Sequence, residues 1–143
     1  IQAALGMSQM RRLDDFVAQR HAIAQRYDDL LKDSVATTPW QHPDSHSGLH
    51  LYVIRLKLGS MKTTHREVFE RMRAEGIGVN LHYIPVYRQP YYAQMGFRPE
   101  DFPQAERYYA EAITLPIFPG LTVIQQGEVV RRLLTPSGYQ TIF

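Results

Sequence analysis

Leu49-His50-Leu51-Tyr52-Val53-Ile54-Arg55-Leu56-Lys57-Leu58 alternates along its length, with Tyr52, Ile54, Leu56 and Leu58 on one side and Leu51, Val53, Arg55 and Lys57 on the other. Successive side chains of an extended chain point to opposite faces, so the stretch reads as a strand with one face buried and the other half open. Its apolar face needs a covering layer and its backbone needs partner strands. Both requirements direct attention to the flanking segments.

After a Gly59-Ser60 turn, Thr64-His65-Arg66-Glu67 has the spacing of a capping box, in which a hydroxyl and a carboxylate satisfy the free amides of a helix start. The spacing predicts a helix to about Glu75, stopped by Gly76 in a left-handed conformation. Ile77-Gly78-Val79-Asn80-Leu81-His82 then alternates as a second strand, with Leu81 and His82 on opposite faces. From Tyr83 to Pro103 the chain is aromatic and carries Pro85, Pro90, Pro99 and Pro103, which allows only short helical turns before a helix from Pro103 to about Ala112. Ile113-Thr114-Leu115-Pro116-Ile117 reads as a third short strand, Pro119-Gly120 as a turn, and Thr122 with Gln125 as the cap of a last helix that ends before Pro136.

Upstream, Leu13, Phe16, Val17, Ala24, Tyr27, Leu30 and Leu31 recur at helical spacings, predicting one long amphipathic helix from Ala3 to Lys32. Pro39, Pro43, Asp44 and Gly48 mark the following stretch as a loop. The expected fold class is therefore α+β: a small, largely antiparallel sheet packed with helices and preceded by a long helix. As one domain it spans residues 1–135, divided into the helix (1–33), a loop (34–48) and an α+β unit (49–135), with 136–143 as a flexible tail. A start inside a helix, without an initiating Met, suggests that a further portion precedes these 143 residues.

Hydrophobic residues make up 44% and charged residues 21%, which is the usage of a folded globular chain and not of a disordered one. A net charge of +2, with Arg and acids interspersed along helical stretches, gives no concentrated basic field for nucleic acid. No apolar run approaches the roughly 18 residues of a membrane helix, and the first residues lack a signal-peptide pattern. The absence of Cys excludes disulfides and thiol chemistry and fits a reducing cytoplasm.

Among site-like groups, His42, His46 and His50 with Asp44 have metal-binding chemistry, but they fall in a loop whose spacing fixes no geometry, and no metal is expected. Lys32, Lys57 and Lys62 read as surface charges, and no Gly-x-Ser-x-Gly nucleophile turn occurs. The densest cluster is Asn80-Leu81-His82-Tyr83-Ile84-Pro85-Val86-Tyr87, where imidazole and phenol groups can hydrogen-bond hydroxyls or phosphates and aromatic faces can stack on sugars or bases. Composition alone leaves open whether these rings bind a ligand or fill a small core.

The same segment carries a resemblance. Arg73 to Tyr87 is similar to the "EGIGvnvHYiPvh" segment of the DegT/StrS sugar aminotransferases. Gln89-Pro90-Tyr91-Tyr92, Asp101 to Glu106 and Leu115 to Thr122 resemble the family's next three signatures in the same order. His50-Leu51-Tyr52 resembles its "HLYvi" strand, and Met7 to Tyr27 its leading helix. The nearest branch aminates keto sugars on UDP for pseudaminic acid or other surface polysaccharides, and includes proteins named for spore coat polysaccharide biosynthesis.

The resemblance implies that this chain is the carboxy-terminal small domain of a pyridoxal-phosphate-dependent aminotransferase. Its parent would move an amino group from glutamate to a 4-keto-6-deoxy sugar carried on UDP or dTDP. The cofactor and the lysine that binds it would belong to an amino-terminal domain, so the chain alone is expected to bind no cofactor and to be inactive. The parent is expected to be a cytoplasmic homodimer and this chain by itself a monomer. By this resemblance the expected substrate-binding residues are His82, Tyr83, Asn80, Pro85 and Tyr87: His82 and Tyr83 match positions near the substrate channel, with His82 contacting sugar or phosphates, and Pro85 would fix the loop that presents them. Tyr87 stands where many members have His, which removes any imidazole role at that place. The competing reading is a stand-alone module that binds a sugar nucleotide or a protein without catalysis.

Overall fold

The computed structural model describes residues 1–135; the tail expected at 136–143 lies outside the described residues. Among the described residues five longer helices, one short one and three strands follow in the order α1 (Gln2–Met10), α2 (Leu13–Leu31), β1 (Ala36–Thr37), β2 (Tyr52–Leu56), α3 (His65–Ala74), α4 (Pro90–Ala93), α5 (Pro103–Glu111), β3 (Ala112–Leu115) and α6 (Val123–Leu134). The α+β class expected from the sequence is the one observed.

The strands form an antiparallel sheet in the order β1-β2-β3. Tyr52 pairs with Leu115 and Ile54 with Ile113, and these four side chains are buried together on one face. Against them pack Ile23, Tyr27 and Leu31 of α2, Val68 and Met72 of α3, and Val129, Val130 and Leu133 of α6. The core is thus one sheet face under three helices, each burying a stripe at helical spacing. Val53 and Arg55 point to the other face, which α5 partly covers.

Polar ties fix the helices to this core. The Tyr27 hydroxyl donates to the Pro116 carbonyl at 3.0 Å, and Tyr52 donates to Asp28 Oδ1 at 2.6 Å, its ring 5.0 Å from that of Tyr27. Burial pushes both phenols well above their ordinary range, with the Asp28 carboxylate adding to the effect at Tyr52. The buried Gln126 amide donates to the Ile23 carbonyl at 2.9 Å, joining α6 to α2 across 103 residues.

Three expectations need correction. The long leading helix breaks at Arg11-Arg12 into α1 and α2. None of α1 is buried, so no packing among the described residues holds it in line with α2. The segment 77–82 is no strand but a single bridge, Asn80 to Thr114. Gly76 sits at φ 81° and the Arg73 guanidinium donates to the Val79 carbonyl, so the chain leaves α3 in a tight turn and touches the sheet only once. The loop after α2 holds β1, whose two residues pair with Leu56 and Arg55; a strand so short has no periodicity to detect. Both capping boxes form, at Thr64–Glu67 and Thr122–Gln125.

Candidate functional site

The Asn80 bridge decides where the site-like segment lies. Asn80 N donates to Thr114 O at 3.2 Å and Thr114 N to Asn80 O at 2.9 Å, a reciprocal pair that adds Asn80 to the free edge of β3. Val53, Thr114 and Asn80 are paired across three segments and so share a face, the one away from the core. His82, two residues further, returns to the same face, and its Nδ1 lies 2.7 Å from Thr114 Oγ1. Thr114 is buried, His82 half-buried, Asn80 exposed.

Beyond His82 the chain turns outward. The ring of Tyr83 stands edge-on to His82, centroids 4.6 Å apart, across a cis peptide, and is 71% exposed. Ile84 and Val86 are also exposed, whereas Pro85 is half-buried and leads into a 3-10 turn over Val86–Arg88. Proline presets the backbone angle for that turn. Tyr91, Met95 and Phe97 continue the exposed apolar surface.

Tyr87 is placed differently from its neighbours. Its ring is buried and stacks on Phe102 at 4.4 Å, and its hydroxyl donates to Glu106 of α5. Arg88 Nε donates to the same carboxylate at 2.7 Å and Nη2 to its second oxygen. Hydrogen bonds from Arg88 and then Tyr87 hold the Glu106 carboxyl below the usual range, while burial and the bond to Glu106 raise the Tyr87 phenol. The two residues therefore clamp the aromatic loop onto α5. The sequence did not mark Glu106 as part of this arrangement, because its partners lie 18 and 19 positions earlier.

Along the same sheet face, Arg55 and Arg107 both bind the Glu111 carboxylate, at 2.7 Å and 3.1 Å. Burial pushes that carboxyl up, but the two guanidinium groups outweigh it and the net shift is downward. This trio lies on the β2 side of the face, where Arg55 pairs with Ala112.

The remaining candidates are dispersed. His46 stacks on His21 at 4.5 Å, His21 Nε2 lies 2.7 Å from the Ser47 carbonyl, and His42 Nδ1 accepts from Asp44 N. Among the described residues no three His, Cys, Asp or Glu side chains are gathered so as to hold a metal ion. Lys32 and Lys62 are exposed, and Lys57 Nζ donates to the Ser34 carbonyl at 2.8 Å. The amides of the Gly76 turn close the carboxy-terminal end of α3 by donating to Arg73 and Met72 carbonyls, the wrong helix end for a phosphate. These residues do not by themselves fit a pyridoxal phosphate site.

The spore coat polysaccharide biosynthesis protein SpsC of Bacillus subtilis (strain 168) is 37% identical over 133 residues, covering 91% of this chain and 34% of SpsC. Helicobacter pylori PseC, an aminotransferase involved in the biosynthesis of pseudoaminic acid, superposes with a TM-score of 0.80 at 29% identity, over 93% of this chain and 36% of PseC. Spr1654 from Streptococcus pneumoniae, in its pyridoxal phosphate form, shares the fold with a TM-score of 0.83 at 24% identity, over 92% of this chain and 34% of its own. The chain thus spans about a third of the length of these relatives. The sequence profile of the DegT/DnrJ/EryC1/StrS aminotransferases matches residues 1–134, so that sheet, aromatic loop and flanking helices all fall within the match, and the chain belongs to that family.

Proposed function

We propose that this chain is the small domain of a pyridoxal-phosphate-dependent aminotransferase that moves an amino group from glutamate to a 4-keto-6-deoxy sugar nucleotide, UDP- or dTDP-linked, for surface polysaccharide synthesis. The cofactor supplies the amino-group carrier and is held by residues outside this chain, in an amino-terminal domain; alone, the chain is inactive. The whole protein is a cytoplasmic homodimer. Family membership and the kinship to SpsC and PseC support this reading. No described helix is long and apolar enough to cross a membrane.

Within that protein the outer face of the sheet edge forms one wall of the substrate pocket. The observation that carries this is the juxtaposition of Asn80, His82 and Tyr83 at the β3 edge, with His82 anchored on Thr114 and the Tyr83 ring exposed beside it. His82 hydrogen-bonds a sugar or phosphate oxygen, Tyr83 lays an aromatic face and a hydroxyl against the ligand, and Asn80 borders the site. The Asn80 side chain also accepts from the Leu81 amide at 2.9 Å, which fixes the backbone leading to His82. Pro85 and Tyr87 set the course of the loop, Tyr87 through Glu106.

The test is the His82→Gln variant of the protein that carries this chain. Amination of a UDP-4-keto sugar with glutamate as donor is expected to fall on the order of tenfold, the cost of one hydrogen bond to a charged or strongly polar group. Bound pyridoxal phosphate, followed by its visible absorbance, is expected to stay at the wild-type level. Unchanged amination, or loss of the cofactor with the imidazole, would remove His82 from the substrate wall.

A further inference from the structure

We propose that Thr114 is a positioning residue for His82: its buried hydroxyl donates to His82 Nδ1, which confines the imidazole to the tautomer protonated on Nε2 and leaves that N–H facing away from the sheet as a donor to a ligand oxygen. The proposal rests on the reading that His82 meets the ligand, and adds to it the direction of the hydrogen bond.

The geometry begins with the backbone. Thr114 is locked in place from both sides, paired with Val53 of β2 and exchanging two hydrogen bonds with Asn80. The residue is 5% exposed, so its hydroxyl cannot turn freely to water. Among the described residues His82 Nδ1, at 2.7 Å, is the only partner of Thr114 Oγ1. The two tautomers are then unequal. With Nδ1 protonated, the ring would donate to Oγ1 and the buried hydroxyl hydrogen would have no acceptor, which disfavours that form. With Nε2 protonated, the hydroxyl donates to Nδ1 and every donor of the pair is used.

Nε2 has no protein partner among the described residues. The Tyr83 ring stands edge-on to the imidazole, at 87°, and limits its swing on the outer side. Threonine at this position thus fixes the ring's direction, and the proton left on Nε2 makes the neutral side chain select for acceptors: phosphate, hydroxyl or carbonyl oxygens. Valine, equal in shape, keeps the β-branched strand residue but removes the donor.

The tautomer is read by long-range nitrogen–proton correlation spectra of the protein labelled with 15N-histidine, at a pH where imidazoles are neutral, with H82Q assigning the signal. The wild type is expected to show an unprotonated Nδ1 and a protonated Nε2, T114S the same, and T114V an average of the two tautomers. In T114V the KM for the keto-sugar substrate rises several-fold. A protonated Nδ1 in the wild type, or an unaltered single tautomer in T114V, overturns the proposal, and the wild-type spectrum decides even if T114V does not fold. The wider reading fails separately: H82Q without effect on amination would remove the ligand contact and leave the Thr114–His82 tautomer as measured.

Discussion

The Tyr87 hydroxyl donates to Oε1 of the Glu106 carboxylate, joining the loop after His82 to α5 at the point where Arg88 clasps both oxygens of that group. Arg88 also lies 5.4 Å over the Tyr109 ring, and Tyr87 stacks on Phe102, so the contact is both ionic and aromatic. Among the described residues the exposed side chains of Tyr83, Ile84 and Val86 have no comparable anchor, and their course depends on this one.

Removing the carboxylate charge with Glu106→Gln is therefore expected to raise amide hydrogen exchange throughout 83–102 while leaving α2 and α6 protected. Tyr87→Phe should give a smaller rise, since Arg88 keeps its own bonds to Glu106. Equal exchange in wild type and Glu106→Gln would show that the clamp does not hold the loop.

Acid should act at a second ionic tie. Glu128 is held at a pKa of about 2, against an ordinary 4.5, by hydrogen bonds from Arg131 and then Arg132, and Arg132 reaches on to Glu75 at the end of α3. A carboxyl depressed in the folded state gives its stabilisation in full above its unfolded value and loses it as pH falls through the folded one. The melting temperature is expected to drop between about pH 4.5 and pH 2, and Glu128→Gln should flatten that part of the curve. A variant with the wild-type slope would count against it.

In the core, Tyr27→Phe removes only the hydroxyl that donates to the Pro116 carbonyl, and should cost about 1 kcal/mol in urea unfolding. Leu133→Ala opens a hole in the core beneath α6 and should cost about 2–5 kcal/mol. If the two losses came out equal, the packing of α6 on this core would be looser than the burial of Leu133 implies.

At the start of α3, Thr64→Ala removes the bond from Glu67 N to Thr64 Oγ1 and the one from that hydroxyl to Glu67 Oε2, leaving only the backbone half of the capping box, Thr64 N to Glu67 Oε2. A loss of about 1 kcal/mol is expected, with Thr64→Ser close to wild type. Because Val68 and Met72 of this helix are fully buried, the change should be visible in global unfolding and not only in local fraying.

Much of this arrangement was legible along the chain. Val53 and Arg55 alternate with Tyr52, Ile54 and Leu56, and that alternation gave β2 its two faces before any partner was known. Thr64–Glu67 and Thr122–Gln125 gave two helix starts, because a capping box is closed within four residues. Gly76 gave the end of α3 for the same local reason. The segment Asn80 to Tyr87 stood out by its chemistry, but its residues could not be sorted into those that face outward and the one that is buried.

What the amino-acid sequence determined by itself is whatever depends on neighbours a few positions away: strand and helix periods, caps, turns and the family signatures. Tertiary structure alone decided the break in the leading helix, the reduction of 77–82 to one bridge, and the division of labour between His82, held on Thr114 across 32 residues, and Tyr87, turned inward to Glu106. The physical reason is that a hydrogen bond to a buried hydroxyl or a carboxylate is strong where water is excluded, and which groups meet there is set by how the sheet and α5 pack, not by their spacing along the chain.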